Sequence, residues 1–454
     1  MTNSVKNAAQ PLNYALSEGP LMVRISPDQV KKILLNAAAY IPQHPDIFFV
    51  NPGRDFSRIK KISLLDTLLF PMVAASDNVW TELLDFFGED IPPSPSAMIQ
   101  RRNQLKPAAF EELFHRFTSS VPVSKKFHGL RLFAIDGTRL NLPYNPNDQD
   151  TFVKDIKGRR GINQIHFNAL YDILNDIFID KVLQPVHEMN EKAAFSDFLH
   201  RYGTDQKVLF IADRGYASYN IFADAIKHHR LFLIRVPESF AMDICKSDDH
   251  WLVSDLEDIR VTVHVGRCMK RQNLQLKNYH CIPKKGHYDF IPPGSDAYDA
   301  LHLRVVKFPI SDNSYEYLVT NLEPHAYPLD TVKELYRIRW GIETAFRHLK
   351  YAGSMVHLHS IKKDLLLQEI YAKLTLYNFS SFIKASVEDK VEKTTEKYRY
   401  KVNHTQIQKI CSRFLKGKVT DVMKLIRGLA VPVRPGRSFQ RNLRRQSADT
   451  LAYR

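Results

Sequence analysis

The chain has 454 residues, 44% of them apolar and 25% charged, which is typical of folded globular domains and excludes a wholly disordered chain. No stretch is long and apolar enough for a membrane-spanning helix, and the first residues lack the charged-then-apolar order of a secretory signal, so we expect a soluble intracellular protein without a membrane partner. Lysine and arginine exceed aspartate and glutamate by 15, which favours a partner that carries negative charge.

The first 125 residues show the apolar period of helices. Within this region Ser94 can cap a short helix that begins at Pro95, and the pair Lys106 and Pro107 ends it. Arg101 and Arg102 lie on this short helix. Two short helices around a tight turn predict either a DNA-reading helix-turn-helix, in which both arginines contact DNA, or a plain corner of a helix bundle.

After about residue 129 the apolar period becomes that of strands. "GLRLFAIDGTRLNLP" predicts a strand that ends at Asp136, and "QIHFNALYDILNDIFIDKVL" predicts two strands around a turn. "NEKAAFSDFLHRY" predicts a helix, and "KVLFIADRGYA" predicts a buried strand that ends at Asp213. A further helix and strand follow. This order predicts an α/β fold with a mixed sheet flanked by helices.

Residues 238–325 are irregular and rich in strand patterns, which predicts an all-β insertion. "LHLRVVKFPISDNSYEYLVTNL" predicts a hairpin around Ser311–Ser314. Trp251 is a candidate for stacking on a DNA base, although a Trp in a β-rich segment more often belongs to a core. The four cysteines match neither zinc nor disulfide spacing, so we predict free thiols.

The C-terminal region carries most of the excess positive charge. From residue 397 to the end there are fifteen Lys or Arg, against only Asp421 and Asp449. Such a field attracts phosphate backbones and gives binding that weakens with salt. A solvating tail or a contact with anionic lipid are the alternatives, but no basic amphipathic membrane helix lies beside it, so nucleic acid is favoured.

The segment "YRIRWGIETAFRHLKY", residues 336–351, predicts an amphipathic helix with an unusual polar stripe. On a regular α-helix Tyr336, Arg339, Glu343 and Lys350 fall within an arc of roughly 60°. An apolar face lies beside them. Alone, this pattern fits a solvated face in which Arg339 and Glu343 form an i,i+4 ion pair of about 0.3 kcal/mol.

Three acids are candidates for a shared metal site. Asp136 and Asp213 stand at the ends of apolar strands, the edge at which open α/β sheets place their chemistry. Asp residues also form turns there, so either one alone fits turn formation. If their strands are adjacent and parallel, the striped helix can bring Glu343 to the pair. Three carboxylates suit Mg²⁺ or Mn²⁺, and two such ions can activate a water and stabilise a leaving oxygen.

The motif Tyr336-x2-Arg339-x3-Glu343-x6-Lys350 resembles that of bacterial insertion-sequence transposases of the IS-four family, DDE enzymes with a ribonuclease-H-like core. "IDGT" and "ADRGY" resemble the family's two Asp boxes. The resemblance implies five regions: a helical N-terminal DNA-binding domain (1–125), a first core part (126–237), a β-insertion (238–325), a second core part with the Glu helix (326–390) and a basic helical C-terminal region and tail (391–454).

The resemblance also implies the roles of the residues. Asp136, Asp213 and Glu343 would be the catalytic triad that holds two Mg²⁺ or Mn²⁺ ions, and Tyr336, Arg339 and Lys350 would grip the transposon end. Family members cut DNA to expose a 3′-OH and join it to target DNA. They act on terminal inverted repeats, and we expect a homodimer in the DNA complex, in the bacterial cytoplasm or at the nucleoid.

We therefore predict a DNA transposase that moves an insertion sequence by cut-and-paste transposition. A DNA-binding remnant that represses, or a simple nuclease of the same core, are the alternatives. A glycosidase using Asp136 and Asp213 is disfavoured by the basic C-terminal region.

Overall fold

The computed structural model describes residues 25–433, except residues 76, 89–90, 155–159, 203–206, 247–254, 271–274, 312–313 and 392–398. The N-terminal part is helical, as predicted, and consists of α1 (Pro27–Tyr40), α2 (Pro45–Phe48), α3 (Leu64–Val73), α4 (Val79–Phe87), α5 (Pro95–Arg102) and α6 (Pro107–Ser120). Ser26 and Gln29 form a capping box that satisfies the first N–H groups of α1. Ser94 caps α5 in the predicted manner, with its side chain accepting from the N–H of Ala97.

The central sheet begins with an antiparallel meander. Its strands are β1 (Arg131–Leu142), the short β2 (Phe152–Val153), β3 (Ile162–Asp172) and β4 (Ile177–Pro185), and β3 pairs with the other three. The predicted turn between β3 and β4 is confirmed, and Asp176 in it has a φ of 56°, a left-handed conformation that Asp tolerates.

Two parallel strands complete the core of the sheet. β5 (Val208–Ala212) is parallel to β1, and β6 (Leu231–Val236) is parallel to β5. The resulting order β4-β3-β1-β5-β6 has three antiparallel strands followed by two strands parallel to the first. This is the ribonuclease-H-like arrangement, so the predicted fold class is confirmed.

The strands of the predicted insertion extend this sheet. They are β7 (Glu257–Gly266), β8 (Tyr279–Cys281), β9 (Tyr298–Ser311) and β10 (Ser314–Thr320), preceded by the short helix α9 (Glu238–Ile244). β10 pairs antiparallel with β6, and β9 and β7 follow in order. The predicted β9–β10 hairpin is confirmed. The insertion therefore opens with a helix and continues the central sheet, because β10 pairs with the free edge of β6.

Helices cover both faces of the core strands. α7 (Glu191–Arg201) and α8 (Tyr219–Lys227) pack on one face through ring contacts such as Phe195 with Phe210. The opposite face carries α10 (Leu329–Arg337), a 3₁₀ turn (Ile338–Trp340), α11 (Gly341–Arg347), a π-helical turn (His348–Ala352) and the long α12 (Lys363–Val391). Phe346 of α11 contacts Phe167 of β3 on that face. Adjacent strand residues point to opposite faces, so each strand serves both layers.

The C-terminal part returns to the N-terminal helices. It comprises β11 (Arg399–Val402), α13 (His404–Leu415), α14 (Val422–Arg427) and β12 (Ala430–Val433), with β11 and β12 paired. Buried side chains of α1, α3, α6, α12 and the sheet form one continuous hydrophobic cluster. The four cysteines are free thiols, as predicted. Within the described ranges, no helix is both long and apolar enough to span a membrane.

Candidate active site

Asp136 and Asp213 lie side by side at one edge of the core sheet. The parallel pairing of β1 with β5 ends with Ile135 opposite Ala212, and the two aspartates are the next residues on neighbouring strands. Adjacent strands are about 4.8 Å apart, so the sheet itself brings the two acids together. The N–H of Gly137 donates to Asp136 Oδ1 at 2.8 Å, and the N–H of Gly215 donates to Asp213 Oδ1 at 2.8 Å.

The prediction that β1 ends at Asp136 is wrong. β1 continues to Leu142 because β3 pairs with it beyond the point at which β5 stops, with Gly137 opposite Asn168 and Thr138 opposite Phe167. The polar residues after Asp136 have antiparallel partners, which an apolar run in the sequence does not reveal. Asp136 therefore marks the end of the parallel pairing and not the end of the strand.

The prediction of one regular helix over residues 336–351 is also wrong. Before the break, Leu335 and Tyr336 pack on the apolar cluster of β5, β9 and β10, whereas Ile342 and Phe346 after it pack on the core over β1 and β3. The 3₁₀ turn between α10 and α11 accommodates this change of partner, and a π-helical turn follows. A 3₁₀ turn and a π-helical turn each change the number of residues per turn and so shift the angular positions of the side chains that follow. The arc of roughly 60° expected on a regular α-helix therefore does not apply.

Arg339 connects the three predicted acids. Its side chain is buried, its Nη2 donates to Glu343 Oε1 at 3.2 Å, and the charges of Asp136, Glu343 and Asp213 all raise its pKa. Residues more than 70 positions apart in sequence are thus close enough to affect one another's ionisation. Glu343 is thus hydrogen-bonded to the Arg339 guanidinium, and Asp136 and Asp213 are near enough to influence it.

The ionisation of Asp136 reflects its surroundings. Burial raises the pKa of Asp136 to about 7, Arg339 and the N–H of Gly137 oppose this shift, and the charges of Asp213 and Glu343 add to it. Carboxylates that raise one another's pKa are stabilised as anions by a divalent cation. An all-oxygen donor set fits Mg²⁺ or Mn²⁺, which Asp136, Asp213 and Glu343 would hold.

Asp136, Asp213 and Glu343 all lie within the sequence range that a known family covers. A family model described as "Transposase DDE domain" matches residues 127–379, more than half of the 454 residues. The chain belongs to the DDE transposase family. A comparison with curated proteins finds no match. Members of the family generally use divalent metal ions.

A solved structure, the piggyBac transposase synaptic complex with hairpin DNA, is similar to this transposase with a TM-score of 0.46 and 9% sequence identity. The alignment covers 88% of this chain and 81% of that chain. A likeness at this level carries no argument about the site.

Lys350 lies beside the first Asp box of the transposase. Its Nζ donates to Thr138 Oγ1 at 2.6 Å, and Asp136 is the acid whose charge opposes the lowering of the Lys350 pKa by burial. Only 3% of the surface of Tyr336 is exposed, and its ring packs in the apolar cluster with Leu335. In the protein alone, Tyr336 therefore packs in this cluster with the Arg339 guanidinium over its ring, and its contact with DNA stays a prediction.

Arg101 and Arg102, the predicted DNA contacts of α5, are held inside the helical bundle in the protein alone. Both side chains are buried. Arg101 Nε and Nη2 donate to the carbonyl of Ile62 at 3.0 and 2.8 Å, and Arg102 Nη1 forms an ion pair with Glu369 at 2.9 Å. Both guanidiniums therefore fix α5 within the helical bundle, which supports the alternative of a bundle corner. Trp251 and the tail after residue 433 lie outside the described residues.

The sequence analysis missed Glu191 and His166. Glu191 opens α7, and His166 on β3 lies near it, with 3.3 Å between His166 Nε2 and Glu191 Oε1. A Glu in the first turn of a helix is common, because it interacts favourably with the helix N-terminus, so Glu191 gave no sign of a site. The one signal in the sequence was His166, a polar residue within an apolar strand.

A different cluster of possible ligands lies away from the three acids. Among the described residues, His200, Asp224 and His228 have ligand atoms that all lie within 4.8 Å of one another, a more compact group than the three acids form. Asp224 is buried, and His200 Nε2 and His228 Nδ1 both lie 2.9 Å from its Oδ1, while His228 Nδ1 also lies 2.9 Å from the Asp224 carbonyl oxygen. His228 is partly exposed, and its ring packs on that of His200.

Proposed function

We propose that this protein is a transposase of the bacterial IS-four group that moves an insertion sequence by cut-and-paste transposition. The observation that carries the proposal is the convergence of Asp136, Asp213 and Glu343, from three separate parts of the matched domain, around the buried Arg339. The family places the chain among DDE transposases, and the geometry supplies the acids that such chemistry requires.

The proposed reaction is phosphoryl transfer to water or to a DNA 3′-OH. Two divalent ions held by Asp136, Asp213 and Glu343 would activate the attacking oxygen and stabilise the leaving oxygen. The neighbouring residues prepare the site for a polyanion. Arg339 offsets part of the negative charge of the three carboxylates in the protein alone, and its planar set of N–H donors is suited to a phosphate when substrate binds.

Lys350 is the second proposed phosphate contact. Its ammonium group is held over the first Asp box by Thr138 and is partly exposed, so an incoming backbone phosphate can replace the hydroxyl as its partner. The substrate is double-stranded DNA carrying terminal inverted repeats. Two transposon ends are cut and both are joined to target DNA, so the acting species is proposed to be a homodimer on DNA.

The decisive test is Glu343→Gln on DNA that carries a transposon end. This change removes the charge and keeps the shape, so cleavage should fall below detection while band shifts stay largely intact. Glu334→Gln is the matched control, since Glu334 lies on the preceding helix and pairs with Arg337. Cleavage by Glu343→Gln at the control's rate would remove Glu343 from the mechanism.

The products identify the reaction. Joining of a cut 3′ end to a target plasmid is expected of a transposase. Cleavage that never yields joined product would indicate a nuclease of the same core, and end binding without any cleavage would indicate a repressor.

A further inference from the structure

Glu191 brings a fourth carboxylate to the strand ends. It reaches them from α7, whereas Glu343 lies on α11, which packs on the opposite face of the sheet. Its Oε2 and Asp213 Oδ1 lie 3.3 and 3.2 Å from one point, the position that a Cβ on Gly215 would occupy. Glu191 of α7 and Asp213 of the second Asp box therefore both place a carboxylate oxygen next to Gly215.

The same side chain also reaches the first Asp box. Glu191 Oε1 is 2.7 Å from the position that a Cβ on Gly137 would occupy, and His166 Nε2 is 2.6 Å from that position. Any larger residue next to Asp136 would displace both groups. The glycine in each Asp box thus leaves room for Glu191.

His166 fixes the position of Glu191. Its Nε2 lies 3.3 Å from Glu191 Oε1 and 3.1 Å from Asn168 Oδ1, so one ring nitrogen is shared by the two oxygens. The imidazole is buried, and among the described residues its Nδ1 has no hydrogen-bond partner. A buried imidazole held between an amide and a carboxylate orients that carboxylate.

Tyr216 provides an independent sign that this space takes a ligand. Only 1% of Tyr216 is exposed, and its hydroxyl has no hydrogen-bond partner among the described residues. Its ring contacts that of Phe195, which lies on α7 one helical turn after Glu191. A buried phenol without a hydrogen-bond partner, beside the helical turn that carries Glu191, fits a site that is completed by a bound group.

We propose that Glu191 is a fourth metal-binding carboxylate of this site, that it shares a divalent cation with Asp213, and that His166 is its positioning residue. The inference rests on the proposed function and deepens it. Two divalent cations together with Arg339 and Lys350 carry more positive charge than the four carboxylates carry negative charge, so the site can accept a phosphate.

The test measures binding of Mn²⁺ alone to the full chain without DNA, by the loss of the free Mn²⁺ signal in electron paramagnetic resonance. Glu191→Gln should weaken Mn²⁺ binding by at least about tenfold or remove one of the bound ions. Glu188→Gln removes the same charge from an exposed position three residues away and should bind as wild type. Glu191→Asp keeps the carboxylate and should recover part of the affinity.

His166→Gln should weaken Mn²⁺ binding less than Glu191→Gln, because it leaves the ligand in place and loosens it. Melting of each variant without metal checks that the fold is intact. Wild-type Mn²⁺ affinity and stoichiometry in Glu191→Gln would overturn the inference.

Asp213→Asn separates this inference from the proposed function. If Asp213→Asn abolishes Mn²⁺ binding and Glu191→Gln does not affect it, Glu191 is only a structural partner of His166 and the proposed function survives. If wild type binds no Mn²⁺, or binds it equally well after Asp213→Asn, both proposals fail.

Discussion

Substitution of Arg102 by Met separates a structural arginine from a DNA-binding one. Arg102 Nη1 lies 2.9 Å from Glu369 Oε1, its Nη2 donates to the carbonyl of Leu365 at 2.7 Å, and its Nε donates to Gln368 at 3.2 Å. The side chains of Arg102 and Glu369 are only 6% and 4% exposed. Methionine fills a similar volume but leaves the Glu369 carboxylate buried without its cation.

The expected cost follows from this geometry. Breaking a buried ion pair by removing one partner costs about 3–5 kcal/mol, because the remaining charge stays desolvated. Arg102→Met should therefore lower the free energy of unfolding by about that amount. Arg337→Met removes one partner of a more exposed ion pair with Glu334 and should cost less than about 1 kcal/mol.

Urea denaturation of wild type, the two variants and Arg102→Met/Glu369→Gln measures this cost. The double variant should recover much of the loss, because the neutral amide no longer needs a cation. The difference in free energy of unfolding between wild type and Arg102→Met should also become smaller at acidic pH. Burial alone would raise the pKa of Glu369, but Arg102 and hydrogen bonds from Ser360 and His359 lower it, so the stabilisation exists above the ordinary value of 4.5 and is lost as pH falls.

The DNA affinity of the same variant tests the alternative role, in which Arg102 contacts DNA. The folded Arg102→Met variant should bind DNA with unchanged affinity and an unchanged dependence on salt. Unchanged stability together with a weaker, flatter salt dependence would refute the structural role and restore the prediction of a helix-turn-helix contact.

Three further predictions concern Asp136, Lys350 and Gly137. Without bound ions, the free energy of unfolding of wild type should fall relative to that of Asp136→Asn as pH rises from 3.8 to about 7, and should then level off. The reason is that burial raises the pKa of Asp136 to about 7, so that the folded state favours the protonated carboxyl group. Parallel denaturation profiles of the two proteins across this range would contradict the prediction. Lys350→Ala, which loses the bond to Thr138, should reduce end cleavage more than nonspecific binding, and equal losses would leave Lys350 a general affinity residue. Gly137→Ala places a methyl group 2.6 Å from His166 Nε2 and should impair cleavage while band shifts persist; wild-type cleavage would show that the space is not needed.

Local patterns in the sequence determined much of the fold. Alternating apolar residues predicted β3, β4 and the β9–β10 hairpin, and the Ser94–Pro95 signal predicted the start of α5. These features depend on neighbours in the chain, so they can be recognised without tertiary information. The acids Asp136, Asp213 and Glu343 were also identified from the sequence, through their motif spacing.

Long-range contacts decided the rest. β1 extends to Leu142 because of its partner β3, and the helix that carries Glu343 breaks where it passes from one apolar cluster to another. A sequence shows that Arg102 and Tyr336 are polar or aromatic, but not that the fold buries them.

The sequence by itself thus identified a DDE transposase, the order of the core strands and three candidate acids, since these follow from residue types and their spacing. Only the tertiary structure decided that Arg339 is buried among those acids and that Glu191 faces Asp213, since the positions of side chains depend on packing between segments far apart in the chain.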